Sequence, residues 1–160
     1  MVIAYEPIGT RQSVQSSSFV LEFNTTAAPE FIDVTDEVEQ FVWRSTVRNG
    51  FVVVFSRHTT AAVIIQENEP LLLVDMADRI ERFSPKSAHY RHNDFSVRTV
   101  HMHEDECPNG HARCQQLMLG ASETIPVIDG RLALGEWQRI FVVELDEPKR
   151  REVLVQLLGI

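Results

Sequence analysis

From Ser122 onward the chain offers almost nothing but strand material, and that run limits the folds open to it more than any other feature. The segments "SETIPVI", "RLALG", "WQRIFVVELD" and "EVLVQLLGI" follow one another with short breaks, the sharpest at Asp129-Gly130. An Asp-Gly pair between such segments favours a tight hairpin, because both central residues of that turn need positive φ. Strands joined so briefly pair antiparallel. Three more strand segments precede them. In "SSSFVLEFNT", Phe19, Leu21 and Phe23 alternate onto one face. "FVVVFS" is a continuous β-branched and aromatic run of the kind buried on both faces, and "TAAVIIQ" resumes strand character after His58.

Helices fall between these strands. In "DVTDEVEQFVWRSTVRNG", Thr35 is placed to cap a helix, Asp36 and Glu37 suit its positive end, and Val38, Phe41 and Val42 share a face. A second helix is predicted over Pro70 to Phe83, with Pro70 in the first turn and Pro85 as the stop. "ARCQQLML" suggests a short third one. The sum is an α+β fold, a mainly antiparallel β-sandwich with two or three helices, in one domain over residues 1–160. A fold this rich in strands must cover its edges, and assembly into a homo-oligomer is one way to do so.

A formal net charge of −8 with no basic stripe argues against nucleic acid or an anionic membrane as partner, while leaving room for a small anion held locally. No apolar run is long enough to cross a bilayer, and "MVIAYEPIGTRQSVQ" lacks the basic and apolar regions of a secretion signal. A cytoplasmic setting is expected, with Cys107 and Cys114 as thiols.

Chemistry concentrates between residues 84 and 114. His89, His92, His101, His103 and His111 cluster there, yet no HExxH or CxxC pattern anchors them, so a metal or proton-transfer site and a solvated loop both remain open. His58, at the margin of two apolar strands, reads as a hydrogen-bonded structural residue or a site residue. Glu67 follows an apolar run, where burial would fit it for acid or base work, or it caps the Pro70 helix. Thr59 and Thr60 could donate to an anion. The acidic run Glu104, Asp105 and Glu106 reads as solvated, Cys107 as a small loop residue, Cys114 as buried, and Trp137 as a core aromatic.

The stretches "FSRHTTAAVIIQENEP", "YRH", "NGHARCQQLMLGASETIPVIDGRLALGEWQRIFVVELDEPKRR" and "VLVQLLGI", in this order and separation, resemble the YjbQ-like family, also known as secondary thiamine-phosphate synthases. The resemblance extends from about residue 10 to the C terminus. It implies an α+β sandwich assembling as a homotrimer with a pocket near the subunit boundary. The family builds that pocket from a histidine before a Thr pair, an Asn-Glu pair, a histidine after a tyrosine and a histidine at a short helix. Here these correspond to His58, to Gln66 and Glu67, to His92, and to Arg113 in place of the last histidine.

The resemblance thus implies His58, Glu67, His92 and Arg113 as catalytic residues and a zinc or magnesium ion, with His58, His92 and His111 as metal ligands. If residues 111 and 113 lie on a strand, His111 shares a face with position 113; on a helix they diverge by roughly 200°. Arginine does not ligate metals but binds phosphate well. A small phosphorylated molecule is the expected partner, held by Arg113 with Thr59, Thr60 and Ser122. The implied reaction joins a pyrimidine pyrophosphate to a thiazole phosphate, giving thiamine phosphate and pyrophosphate. The same pocket also suits anion or metal binding without turnover, or a family member weakened by Arg113.

Overall fold

A computed structural model describes residues 13–103 and 106–160. Most of the N-terminal stretch read for a secretion signal, and Glu104 and Asp105 of the acidic run, lie outside the described residues. Among the described residues the order is β1 (Gln15–Asn24), β2 (Glu30–Asp33), α1 (Thr35–Arg44), β3 (Gly50–Ser56), β4 (Ala61–Gln66) and α2 (Pro70–Phe83). A single 3-10 turn (Arg91–Asn93) follows, then α3 (Gly110–Leu119), β5 (Ser122–Ile128), β6 (Arg131–Leu132), β7 (Arg139–Glu144) and β8 (Arg150–Gly159).

Two antiparallel sheets result, one ordered β1-β8-β3-β5-β6 and the other β2-β7-β4. Alternation decides which side chains fill the space between them. Val52 and Val54 of β3, Ile125 and Val127 of β5, and Val153, Val155 and Leu157 of β8 meet Val63 of β4 and Ile140 and Val142 of β7. Phe19, Leu21 and Phe23 close this core from β1, as their alternation predicts. β7 is buried on its other face too, where Phe141 and Val143 pack with Ile80 of α2 and Ala112 of α3. The fold is therefore α+β, with α2 and α3 covering the back of the small sheet and α1 set against the main core.

The Asp129-Gly130 turn joins β5 to β6 with both residues at positive φ, 51° and 75°, the geometry that makes this dipeptide a hairpin former. The predicted limits of α2 agree with the structure. Several local expectations do not. Thr35 is the first helical residue rather than the cap. Asp33 Oδ1 accepts its N–H and hydroxyl, and its buried oxygen accepts the Ile140 amide at 2.7 Å. Glu69, not Glu67, caps α2 by accepting from Leu71 and Leu72. Trp137 is 65% exposed and Cys114 is exposed, because Trp137 lies in the turn before β7 and Cys114 on the open side of α3.

β3 also departs from its sequence reading. Its pattern buries one face, and Phe51 and Phe55 stand 42% and 40% exposed on the outer face of the large sheet. The β-branched run that looks buried twice is buried once within a single chain.

Candidate functional site

The long loop between α2 and α3 is tied down at several points. Tyr90 bonds Ser84 and the Pro85 carbonyl, and the Asn93 side chain accepts the Gly110 amide at 2.9 Å. Gly110 is required there: a Cβ would stand 2.6 Å from that of Tyr90. These ties present His92 and Arg98 to the first turn of α3, from which Arg113 projects.

Three cationic or potentially cationic groups meet at Glu106. Arg98 Nη1 donates to Glu106 Oε1 at 2.5 Å, and the same oxygen lies 3.8 Å from His92 Nε2 and 3.9 Å from Arg113 Nη2. The Glu106 side chain is only 9% exposed, and its Oε2 has no hydrogen-bond partner among the described residues. The Arg98 hydrogen bond chiefly holds this carboxyl below its usual range, against the opposing effect of burial. Burial chiefly lowers the His92 pKa, aided by Arg98 and Arg113. Arg113 is fixed by Asn109 Oδ1 at 2.9 Å and by Thr59 Oγ1 at 2.8 Å.

These residues border a cleft of about 670 Å³ lined by Arg91, His92, Arg98, His103, Glu106 and Arg113. A smaller hollow of about 310 Å³ shares His103, Glu106 and Arg113 with it and reaches Lys149. Glu106 thus stands between two cavities. A further groove of about 510 Å³, between α1 and the β5–β6 turn, is lined by Asp36, Glu39 and Trp43 and contains no histidine.

His58 lies apart from this cluster. The Glu152 backbone N–H donates to its Nε2 at 2.9 Å. A neutral imidazole has one lone pair to offer, so Nδ1 carries the proton and no nitrogen is left for a metal. Burial chiefly lowers the His58 pKa, followed by the charge of Arg151. Thr60 is buried and accepts Arg151 Nη2 at 2.9 Å, whereas Thr59 is the threonine that reaches Arg113. Arg151 makes a bidentate pair with Glu144, whose carboxylate also accepts from Thr25 and from the Leu145 and Asp146 amides.

Glu67 sits beyond the far end of β4 from His58, with roughly 20 Å of strand between them. Ser122 opens β5 with its side chain exposed. His111 and Arg113 are both on α3, so they diverge by roughly 200°. His111 turns inward, faces the Leu145 backbone and is buried, and does not stand in for position 113. Burial is again the main cause of its lowered pKa.

The donor set does not fit a zinc or magnesium ion. His58 has no free lone pair, His92 Nε2 faces Arg98 Nη1 at 3.2 Å, and His111 is on another face of α3. One cluster of metal-ligating type exists among the described residues, Cys107 with Asp146 and Glu147. Lys149 Nζ already occupies it, 2.5 Å from Asp146 and 3.1 Å from Glu147. Burial works against the Lys149 charge, but the two carboxylates more than offset it and raise its pKa. Burial, then Asp146, raises that of Cys107 and keeps it a thiol.

Sequence reasoning missed Arg98, Asn109 and Glu106. The signal for Glu106 was faint: an acidic residue in a loop otherwise rich in arginine and histidine.

The sequence profile described as UPF0047 protein YjbQ-like matches residues 19–160. A UPF0047 protein of Methanothermobacter thermautotrophicus is 40% identical over 139 residues, 87% of this chain and 90% of its own length. One from Archaeoglobus fulgidus is 37% identical, over 86% of this chain and 98% of its own. Among solved structures, a YbjQ-like protein of unknown function from Sulfolobus solfataricus superposes with a TM-score of 0.83 at 34% identity, covering 92% of this chain and all of that one. A hypothetical protein from Aeropyrum pernix gives 0.77 at 36%, covering 91% and 99%.

Proposed function

The chain belongs to the YjbQ-like UPF0047 family, and from that premise we propose that its cleft binds phosphate esters and carries out thiamine-phosphate synthase-like transfer. The observation that supports this is the convergence of Arg98, Arg113 and His92 on one carboxylate oxygen of Glu106. Groups arranged to hold a buried carboxylate are arranged to hold phosphate oxygens, and guanidinium suits both.

In the proposed reaction, the bond between the pyrimidine methylene carbon and the pyrophosphate oxygen breaks, and the electron pair leaves with pyrophosphate. The thiazole nitrogen lone pair forms the new C–N bond. No proton is abstracted, so Arg113 in the place of a histidine removes no necessary base. It adds a fixed positive charge where the leaving group gathers negative charge. Thr59 sets the direction of that guanidinium.

We place the working unit as a homotrimer. Its support is the outer face of the large sheet, where the register lines Val20, Leu154 and Phe55 in one row and Leu158 and Phe51 in another.

Titration calorimetry with pyrophosphate and thiamine phosphate, together with a coupled assay for thiamine phosphate formation, tests the reading. Micromolar binding with turnover supports it. Binding without turnover restricts the cleft to recognition, and the absence of both refutes it.

A further inference from the structure

The phosphate reading brings an anion to cations that already hold one. Arg98 donates to Glu106 Oε1, and His92 Nε2 and Arg113 Nη2 stand 3.8 and 3.9 Å from the same oxygen. A carboxylate and a phosphate cannot share this point, since like charges in contact repel strongly away from bulk water. Either Glu106 stays and weakens every anion that arrives, or it leaves.

Four features favour departure. Glu106 is held through one oxygen: Oε1 faces all the cations, while Oε2 is buried without a donor among the described residues. Leaving returns water to an oxygen that the closed arrangement deprives of it. Arg113 keeps a donor for the newcomer, because Nε and Nη1 are committed to Asn109 and Thr59 while Nη2 makes no hydrogen bond among the described residues. Arg98 does not depend on Glu106 alone, since its Nη2 donates to the His101 carbonyl at 2.8 Å. The carboxylate also has somewhere to go, because the hollow of about 310 Å³ adjoins it, with His103 and Lys149 in the lining.

We propose that Glu106 is a built-in competitor: in the empty cleft its carboxylate occupies the phosphate position, and a ligand phosphate binds by driving it into the smaller hollow. The inference rests on the phosphate reading and adds how that site is regulated. An occupied position sets a threshold, because apparent affinity is reduced by the fraction of molecules in which the position is open. A tethered carboxylate competes at a fixed effective concentration, so the reduction is one factor common to all ligands. Simple repulsion differs, since its penalty grows with each charge the ligand carries.

The test is calorimetry in EDTA at mildly alkaline pH with inorganic phosphate and with pyrophosphate, the more highly charged of the two, on the wild type and Glu106→Gln. The variant is expected to bind both more tightly by the same factor, about tenfold or more. An equal or weaker affinity in a folded variant overturns the inference. So does a gain clearly larger for pyrophosphate than for phosphate, the mark of a carboxylate that repels without moving. A crystal structure of the wild type with pyrophosphate keeps the question open to test even when the variant fails to fold. Glu106 should have left Arg98 Nη1 for the smaller hollow, and a carboxylate still bonded to that guanidinium beside bound pyrophosphate sinks this inference alone. Pyrophosphate bound by neither chain sinks the phosphate reading with it.

Discussion

The Nε2 of His58 accepts the backbone N–H of Glu152 at 2.9 Å, one residue beyond the last rung of the β3–β8 ladder at Ser56 and Val153. The histidine side chain extends that ladder after its strand has ended. His58→Ala should leave the Glu152 amide without this acceptor and lower stability by about 1–2 kcal/mol, read from urea denaturation. Zinc should stabilise the wild type and the variant equally; stabilisation seen only in the wild type would identify His58 as a ligand instead.

Stability should fall as pH drops below the ordinary histidine range. His58, His92 and His111 all have pKa values lowered, in each case mainly by burial. Near pH 6 the unfolded chain therefore binds more protons at these positions than the folded one, so stability rises with pH. The contribution is fully present above pH 6.5, the unfolded value, and is lost as pH falls through the folded values. Unfolding midpoints between pH 5 and 8 would show it, and a midpoint flat across that range would contradict it.

Arg113→His should not create a zinc site, because the Glu152 amide takes the His58 lone pair and His92 Nε2 faces the Arg98 guanidinium. Losing the guanidinium should weaken pyrophosphate binding about tenfold, the equivalent of one charged hydrogen bond. Stoichiometric zinc in the purified variant, measured by mass spectrometry, would defeat the argument from donor geometry.

The Glu144–Arg151 pair is almost wholly buried, with side chains 0% and 4% exposed. Arg151→Met should cost about 3–5 kcal/mol, since it strands a charged carboxylate in the interior. Changing Glu144→Leu in the same chain should recover much of that loss, and a double variant no more stable than the single one would speak against charge stranding as the cause.

Phe55→Asp puts a charge at one end of the exposed row on the large sheet. Sedimentation should show the wild type as a trimer and the variant as a monomer with unchanged circular dichroism. An intact trimer of the variant would locate the subunit contact elsewhere.

Strands and helices with strong periodicity were legible because one face of each is buried by the chain itself. Phe19, Leu21 and Phe23 announce β1, and Pro70 and Pro85 bracket α2. β2 was not legible: four residues, all half-buried, carry no alternation that a sequence pattern can register. The site divided in the same way. His92 and Arg113 sit in quotable motifs, but Arg98 and Glu106 meet through a loop without period, and their pairing depends on where Tyr90 and Asn93 anchor it. Thr60 looked like an anion donor beside Thr59, yet in the turn that leads into β4 Thr59 meets Arg113 while Thr60 goes inward to Arg151.

The ammonium of Lys149 among Cys107, Asp146 and Glu147 makes these ligands a coordination sphere whose ion is part of the polypeptide. Its occupancy is set at translation and stays at one per molecule whether metals are scarce or abundant. A fold pinned in this way should keep its shape in a chelator.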